Sequence, residues 1–195
     1  MTTRTFRVLI ACLALAGCGS SPKPRYYTLQ MPPASAGQPS DKAQAGVVVG
    51  PVNLPEAVDR VQLVLRSGDN TVDISDAHRW AEPLKSQVAR VLAANLAREL
   101  GTPRVSVFGT ATGVEGDLRV AVDIVDLQAT LGGDAVVEAL WTVRGAPDAP
   151  PLHGRAGARA KLPGTDYQAV AAAYGDALAQ ISKEIAATVR RAERR

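Results

Sequence analysis

The stretch DLRVAVDIVDLQATLGGDAVVEALWTV, residues 117–143, decides the fold. Apolar side chains occupy alternate positions along 118–124 and again along 137–143, and Gly132, Gly133 and Asp134 lie between the two runs. A period of two is typical of a strand with one buried face, and Gly-Gly-Asp is typical of a hairpin turn. The stretch therefore predicts an antiparallel hairpin with one face on a hydrophobic core.

Shorter apolar runs on both sides of this hairpin predict further strands. The expected strands are 26–29, 47–49, 61–65, 71–74, 105–108 and 152–162. We expect Gly50 and Pro51 to end the second of them. In the third, we expect Val61 to face the core together with Leu63 and Leu65, because the three alternate with polar residues.

Two helices are predicted from apolar residues that recur every three or four positions. The first covers about 81–100, with Pro83 in its first turn and Gly101 at its end. The second starts near Thr165 and Asp166, where Thr165 and Gln168 fit a capping box. This order of elements predicts an α/β fold, a mixed β-sheet covered by two main helices in a single compact domain.

The N-terminus has the pattern of a secretory signal. Arg4 and Arg7 precede the apolar run 8–16, which is too short for a bilayer span of about 20 residues. The sequence LAGC at 15–18 then fits all four positions of a bacterial lipobox. We expect cleavage between Gly17 and Cys18 and attachment of acyl chains, such as palmitate, to Cys18, since two or more chains anchor a protein stably. The alternative is a plain signal peptide followed by a chance cysteine.

The signal divides the chain into three expected parts. Residues 1–17 are the signal peptide, 18–45 the lipidated N-terminus with a first short strand and a flexible connector, and 46–195 the α/β domain. Two of the 22 Lys and Arg leave with the signal, so 20 remain against 19 Asp and Glu. This near-neutral balance does not indicate nucleic-acid binding. Removal of Cys12 and acylation of Cys18 leave no thiol for a disulfide or a metal site.

No arrangement of catalytic residues is recognisable. The sequence lacks a phosphate loop, Gly-x-Ser-x-Gly and His-Glu-x-x-His. The two histidines, His78 and His153, have no ligand spacing, so we expect surface or capping roles for them. Asp123 and Asp126 are three residues apart on a strand, which predicts opposite faces of the sheet and no shared proton or metal. We therefore expect no enzyme activity, no metal and no cofactor.

One local sequence stands out, RWAEPL at 79–84. A structural interpretation is that Trp80 staples the loop 76–83 to the core, while Glu82 and Pro83 begin a helix. The other interpretation is a partner-binding anchor, because Trp and Arg dominate interface hot spots. The residues of this candidate motif are Arg79, Trp80, Glu82, Pro83 and Leu84.

Several stretches taken together resemble a known family. They are, in chain order, the lipobox, YYTL at 26–29, VGPVNLP at 49–55 followed by Asp59 and Arg60, and RWAEPL at 79–84 leading into Asn95 and Leu96. In this order and spacing they are similar to the ABC-type transport auxiliary lipoproteins, the PqiC/YmbA family. The resemblance covers nearly the whole chain and is densest over 47–100. It departs at Ala57 and Val58, where a bulkier aromatic is common.

The resemblance implies a lipoprotein anchored at the periplasmic face of the outer membrane. It implies work with an MCE-domain protein and an inner-membrane component to move lipids or other hydrophobic molecules across the envelope. It also implies a homo-oligomeric ring that receives the MCE tunnel, with no nucleic acid among the partners. The alternative, from another class, is a stand-alone periplasmic lipoprotein that binds a lipid or a small molecule.

Overall fold

The computed structural model describes residues 23–32, 45–110 and 117–195. Within those ranges the chain forms eight strands and two helices. The strands are β1 Arg25–Tyr27, β2 Val47–Asn53, β3 Gln62–Gly68, β4 Thr71–Trp80, β5 Val105–Val107, β6 Leu118–Ala129, β7 Asp134–Arg144 and β8 Leu152–Lys161. The helices are α1 Leu84–Leu100 and α2 Tyr167–Ala192.

The strands form two sheets. The larger has the order β5-β2-β6-β7-β8, in which β2 is parallel to β5 and β6 while β6, β7 and β8 run antiparallel. The smaller has the order β1-β4-β3, with β1 parallel to β4 and β3 antiparallel to it. The predicted hairpin is β6 and β7, and the predicted α/β class with two helices on mixed sheets is confirmed.

Both helices pack against the larger sheet, α1 beside β2 and α2 beside β7 and β8. The inward positions predicted for the hairpin are buried, among them Val120, Val122, Val137 and Ala139. Burial of such apolar surface is the main favourable term in folding, at about 25 cal/mol per Å². The core therefore lies between the larger sheet and the two helices.

The helix ends follow capping rules, though not at every predicted residue. Pro83 has an extended ψ of 125°, so α1 begins at Leu84 rather than at Ala81. Gly101 ends α1 in the left-handed region at φ 68°, as predicted from its lack of a side chain. The predicted capping box of Thr165 and Gln168 is wrong, because the Asp166 carboxylate accepts the hydrogen bond from the Ala169 amide at 2.8 Å.

Two strand boundaries also differ from the prediction. β2 continues through the cis Gly50-Pro51 bond to Asn53, and its pairing with β6 shifts register between Val49 and Val52. Such an irregularity accommodates a proline, which has no amide hydrogen for the ladder. Val61 does not face the core, since it precedes β3 and is 54% exposed.

A β-bulge in β6 overturns the prediction for the two aspartates. Its register with β7 shifts between Ile124 and Asp126, so Val125 is an extra residue in the ladder. Before the bulge the even-numbered residues of β6 are buried, and after it Leu127 and Ala129 are buried. Asp123 and Asp126 consequently lie on the same face, the one turned away from the helices, because one inserted residue reverses the alternation.

Candidate functional site

The predicted lipid site lies outside the described residues. Gly17 and Cys18 belong to the N-terminal segment 1–22, which the structure does not describe. The described chain resumes two residues before β1. Cleavage between Gly17 and Cys18 and acylation of Cys18 therefore stay predictions.

The structure places the RWAEPL sequence at the end of a strand and the start of a helix. Residues 76–80 belong to β4, so the prediction of a loop over 76–83 is wrong for these five residues. β4 is extended here because it is paired on both sides: Tyr27 of β1 is in register with Trp80, and Gln62 of β3 is in register with Arg79. The predicted strand 71–74 accordingly runs on to Trp80.

Trp80 is buried, with 4% of its surface exposed. Its amide donates to the Val61 carbonyl at 2.7 Å, and its ring lies 6.4 Å from that of Tyr174 on α2. The Tyr174 hydroxyl is buried without a hydrogen-bond partner among the described residues, and burial raises its pKa well above the usual range. In the isolated chain Trp80 thus occupies the position of a core staple between β4 and α2.

The other residues of the sequence divide between core and surface. Leu84 is 1% exposed and begins α1, and Pro83 precedes it as the helix cap. The Arg79 Nε donates to the Asp76 carbonyl at 3.1 Å. Glu82 is exposed just before α1 and pairs at 2.6 Å with Arg90, which lies in the second turn of that helix. The charged members therefore remain at the surface, where a partner has access to them.

Gln87 is a buried polar residue that sequence reasoning missed. It is 2% exposed on α1. Its Oε1 accepts from the Leu29 amide at 2.8 Å, and its Nε2 donates to the Glu82 carbonyl at 2.9 Å. Leu29 itself is buried. Gln87 therefore fixes the segment after β1 onto α1. The available signal was a glutamine among the apolar positions of the helix.

Gln87→Leu is expected to lower the free energy of unfolding by about 2 kcal/mol, because the Leu29 amide and Glu82 carbonyl lose a buried partner. Urea unfolding measures the change. Gln180→Leu is the matched control, since Gln180 is exposed on α2, and it is expected to stay within about 0.5 kcal/mol of wild type. Equal stabilities of the two variants would show that the two hydrogen bonds of Gln87 contribute nothing to stability.

His78, for which a surface or capping role is predicted, is half-buried in an aromatic cluster. Its ring stacks on Tyr167 with centroids 3.7 Å apart, and its Nδ1 is 2.7 Å from the Tyr27 hydroxyl. Burial, and to a smaller degree the positive charge of Arg25, hold the pKa of His78 below its usual 6.5. The cluster joins β1, β4 and the start of α2. His153 is exposed and lies 3.0 Å from the Thr142 hydroxyl.

The lowered pKa of His78 gives a pH-dependent stability. The unfolded chain takes up the proton more readily, so stability is complete above pH 6.5 and declines as the pH falls through 6.5 towards the folded-state pKa. Urea unfolding at about pH 7.5 and about pH 5.5 measures the decline. In His78→Phe, which keeps a ring on Tyr167, the decline is expected to be smaller. An unchanged decline in that variant would assign it to other groups.

The two aspartates that share a face do not form a pair. Asn53 Nδ2 donates to Asp123 at 2.6 Å, and Gln128 Nε2 donates to Asp126 at 2.6 Å. Each carboxylate is thus satisfied by an amide. Across the described ranges no group of three His, Cys, Asp or Glu is placed to hold a metal ion. Neither described helix is long and apolar enough to cross a membrane.

An open cavity of about 460 Å³ lies between β2, β5 and α1. It is bordered by the glycine-proline sequence of β2 on one side and the first turns of α1 on the other. Its apolar wall consists of Val49, Pro51, Val52, Ala89, Val107 and Phe108. Lys85 and Arg90 lie at its edge, but Lys85 pairs with Asp59 at 3.6 Å and Arg90 with Glu82. The cavity offers apolar contact rather than an unpaired charge.

Comparison with known proteins agrees with this architecture. The family model described as "ABC-type transport auxiliary lipoprotein component" matches residues 27–186. The intermembrane transport lipoprotein PqiC of Escherichia coli is 29% identical over 136 residues, which is 69% of this chain and 71% of PqiC.

Two crystal structures share the fold. One, of an uncharacterised protein, has a TM-score of 0.67 at 20% identity and covers 86% of this chain and 98% of its own. The other, of a protein from Xanthomonas campestris, has a TM-score of 0.66 at 16% identity and covers 88% and 100%. Because the family match runs from the end of β1 into α2, the chain belongs to the ABC-type transport auxiliary lipoprotein component family.

Proposed function

We propose that this protein is a lipid-anchored subunit of an MCE-type system that transports lipids or other hydrophobic molecules across the envelope. It holds the outer-membrane end of the route and docks the MCE-domain protein there as a homo-oligomeric ring. The observation that carries the proposal is the family match over 27–186, which starts a few residues after the lipobox at 15–18. The similarity to PqiC, which is named as an intermembrane transport lipoprotein, supports it.

The proposed anchor is Cys18. Cys18→Ala is expected to abolish acylation and stable membrane attachment, because the thiol is the acceptor of the lipid. Labelling of cells with a tagged fatty acid measures this. Cys12→Ala is the matched control, since Cys12 leaves with the signal peptide, and it is expected to label like wild type. Label that persists in Cys18→Ala would contradict the assignment.

We propose the outer membrane because Gly19 and Ser20 follow the cysteine. Neither is the aspartate that signals retention at the inner membrane. Density-gradient fractionation of the envelope tests this proposal. Sedimentation with outer-membrane markers is expected, and sedimentation with inner-membrane markers would place the protein at the other end of the route.

A closed ring needs two different surfaces that fit each other. Among the described residues, β1, β3, β5 and β8 are the edge strands of the two sheets, so no described strand pairs with their outer sides. β8 is the longest of them at ten residues and so offers the longest edge to a second chain. The surface side chains of Arg79 and Glu82 supply further candidate contacts.

Light scattering and co-purification test the ring and its partner. The mature chain from Cys18 is expected to run larger than a monomer and to retain an MCE-domain protein.

The cavity of about 460 Å³ favours the second candidate function, a stand-alone lipoprotein that binds a lipid or small molecule. A strict monomer at high concentration with no affinity for MCE-domain proteins would make that function the better one.

A further inference from the structure

We infer that the end of the molecule where β1 begins rests on the phospholipid bilayer, through Tyr26 and the turn at Leu131. This inference rests on the proposed lipid anchor at Cys18. This basal end of the molecule consists of residues 23–26, the turn 130–133 and the start of α2 at 165–167. The surface is a contact of the folded body with lipid, in addition to the acyl chains.

The length of chain between Cys18 and β1 limits which end faces the membrane. Residues 19–24 separate Cys18 from Arg25, and a fully extended chain of that length spans at most about 25 Å. A folded body of this size has a radius of gyration of about 15 Å, hence a width of about 40 Å. Because residues 19–24 span less than the width of the folded body, the end of the molecule opposite β1 cannot reach the bilayer.

Contacts between distant parts of the chain assemble the basal end. Arg25 is in register with His78, and the His78 ring stacks on Tyr167 at the start of α2. A Cβ added at Gly132 would lie 3.7 Å from the Thr165 side chain, so the turn after β6 contacts the residues before α2. The start of β1, the start of α2 and the turn 130–133 are therefore neighbours.

The exposed side chains at this end suit a bilayer surface. Tyr26 is 61% exposed and Leu131 is 41% exposed, although both are large apolar residues. Tyrosine favours the membrane interface because its ring is apolar and its hydroxyl is polar. Lys23 and Arg25 are exposed beside Tyr26, and basic residues near a membrane are attracted to anionic headgroups.

The acidic residues at the basal end are already engaged. Asp134, directly after the turn, pairs with Arg159 at 3.0 Å. Asp166 accepts the hydrogen bond of the Ala169 amide as the cap of α2. The charge of Asp134 is therefore paired, and Asp166, which keeps its charge at the positive end of the α2 dipole, is outnumbered by Lys23 and Arg25.

The test uses introduced tryptophans as depth reporters. The chain from Cys18 to Arg195 has one thiol, Cys18, which is coupled to maleimide lipid in vesicles of phosphatidylethanolamine and phosphatidylglycerol. Some of the lipids carry nitroxide quenchers. In Leu131→Trp and, separately, Tyr26→Trp, the added indole is expected to lose emission to the quencher and to shift its maximum to the blue. The natural Trp80 and Trp141 are buried and serve as a constant background.

Leu140→Trp is the matched control. Leu140 is a leucine with similar exposure, 38%, but it lies in the middle of β7 on the outer face of the sheet. Its added indole is expected to keep its emission. The inference would be overturned if the added indoles of Leu131→Trp and Leu140→Trp were quenched equally. It would also be overturned if the added indole were quenched in neither Tyr26→Trp nor Leu131→Trp. Since the thiol coupling itself supplies the anchor, this outcome is independent of whether cells acylate Cys18, which fatty-acid labelling decides.

Discussion

Trp80→Ala is expected to lower the free energy of unfolding by about 3–5 kcal/mol. Trp80 is 4% exposed and packs between the end of β4 and Tyr174 of α2. Alanine removes the apolar area of the indole and leaves a cavity whose walls cannot fully collapse, since β4 is held by strands on both sides. The cavity would also open beside the ring of Tyr174, whose buried hydroxyl has no hydrogen-bond partner among the described residues.

Urea unfolding of Trp80→Ala and of Tyr26→Ala distinguishes the effect of losing a buried indole from the effect of losing an exposed aromatic ring. Tyr26 is an exposed aromatic on β1, so its removal is expected to change the free energy of unfolding by only about 0.5 kcal/mol. The competing hypothesis for Trp80 is an interface anchor. A Trp80→Ala variant that unfolds like wild type, yet no longer assembles or binds its partner, would support that hypothesis instead.

The elements that sequence analysis predicted are those whose pattern is complete within one segment. The hairpin of β6 and β7 has alternation and a turn within 27 consecutive residues, 117–143. The end of α1 at Gly101 depends on one residue that tolerates a positive φ. Local patterns of this kind do not depend on the rest of the chain, so each predicts its element from that element's own sequence.

The features that it missed depend on contacts between distant segments. β4 extends to Trp80 because β1, more than fifty residues earlier, pairs with it. Gln87 is buried because it satisfies the Leu29 amide, 58 residues away. The sequence around β4 does not indicate its pairing with β1. The sequence around Gln87 does not indicate its contact with Leu29. The bulge at Val125 lies inside the predicted hairpin, but it too was missed, because it appears in the pairing of β6 with β7 and not in the alternation predicted for β6 alone.

The candidate sites differ in the same way. The lipobox at 15–18 stays a prediction, but its pattern is local, so four residues suffice to predict it. A partner-binding role for Arg79 and Glu82 depends on which side chains remain at the surface after folding. The structure separates these two from Trp80 and Leu84, which are buried. Sequence alone placed all of them in one candidate motif.

The second large effect is expected at Gly154, where Gly154→Ala should lower the free energy of unfolding by about 3 kcal/mol. A Cβ at Gly154 would overlap the indole of Trp141, the residue in register with it on β7. Trp141 is 5% exposed and donates its Nε1 hydrogen to the Thr188 hydroxyl of α2 at 3.1 Å. The added methyl must displace the indole, which breaks that hydrogen bond and strains the packing of α2 on the sheet.

Gly157→Ala isolates this clash from the general effect of replacing glycine in a strand. Gly157 is on the same strand, β8, and a Cβ there meets nothing within 4 Å. Both substitutions restrict the unfolded chain equally, which by itself stabilises by about 0.4–1 kcal/mol. Gly157→Ala is therefore expected to be as stable as wild type or slightly more so, while Gly154→Ala unfolds at lower urea and its Trp141 emission shifts to the red. Coincident unfolding curves for the two variants would mean that the indole moves aside without cost, and that the contact between Trp141 and Thr188 does not hold α2 on the sheet.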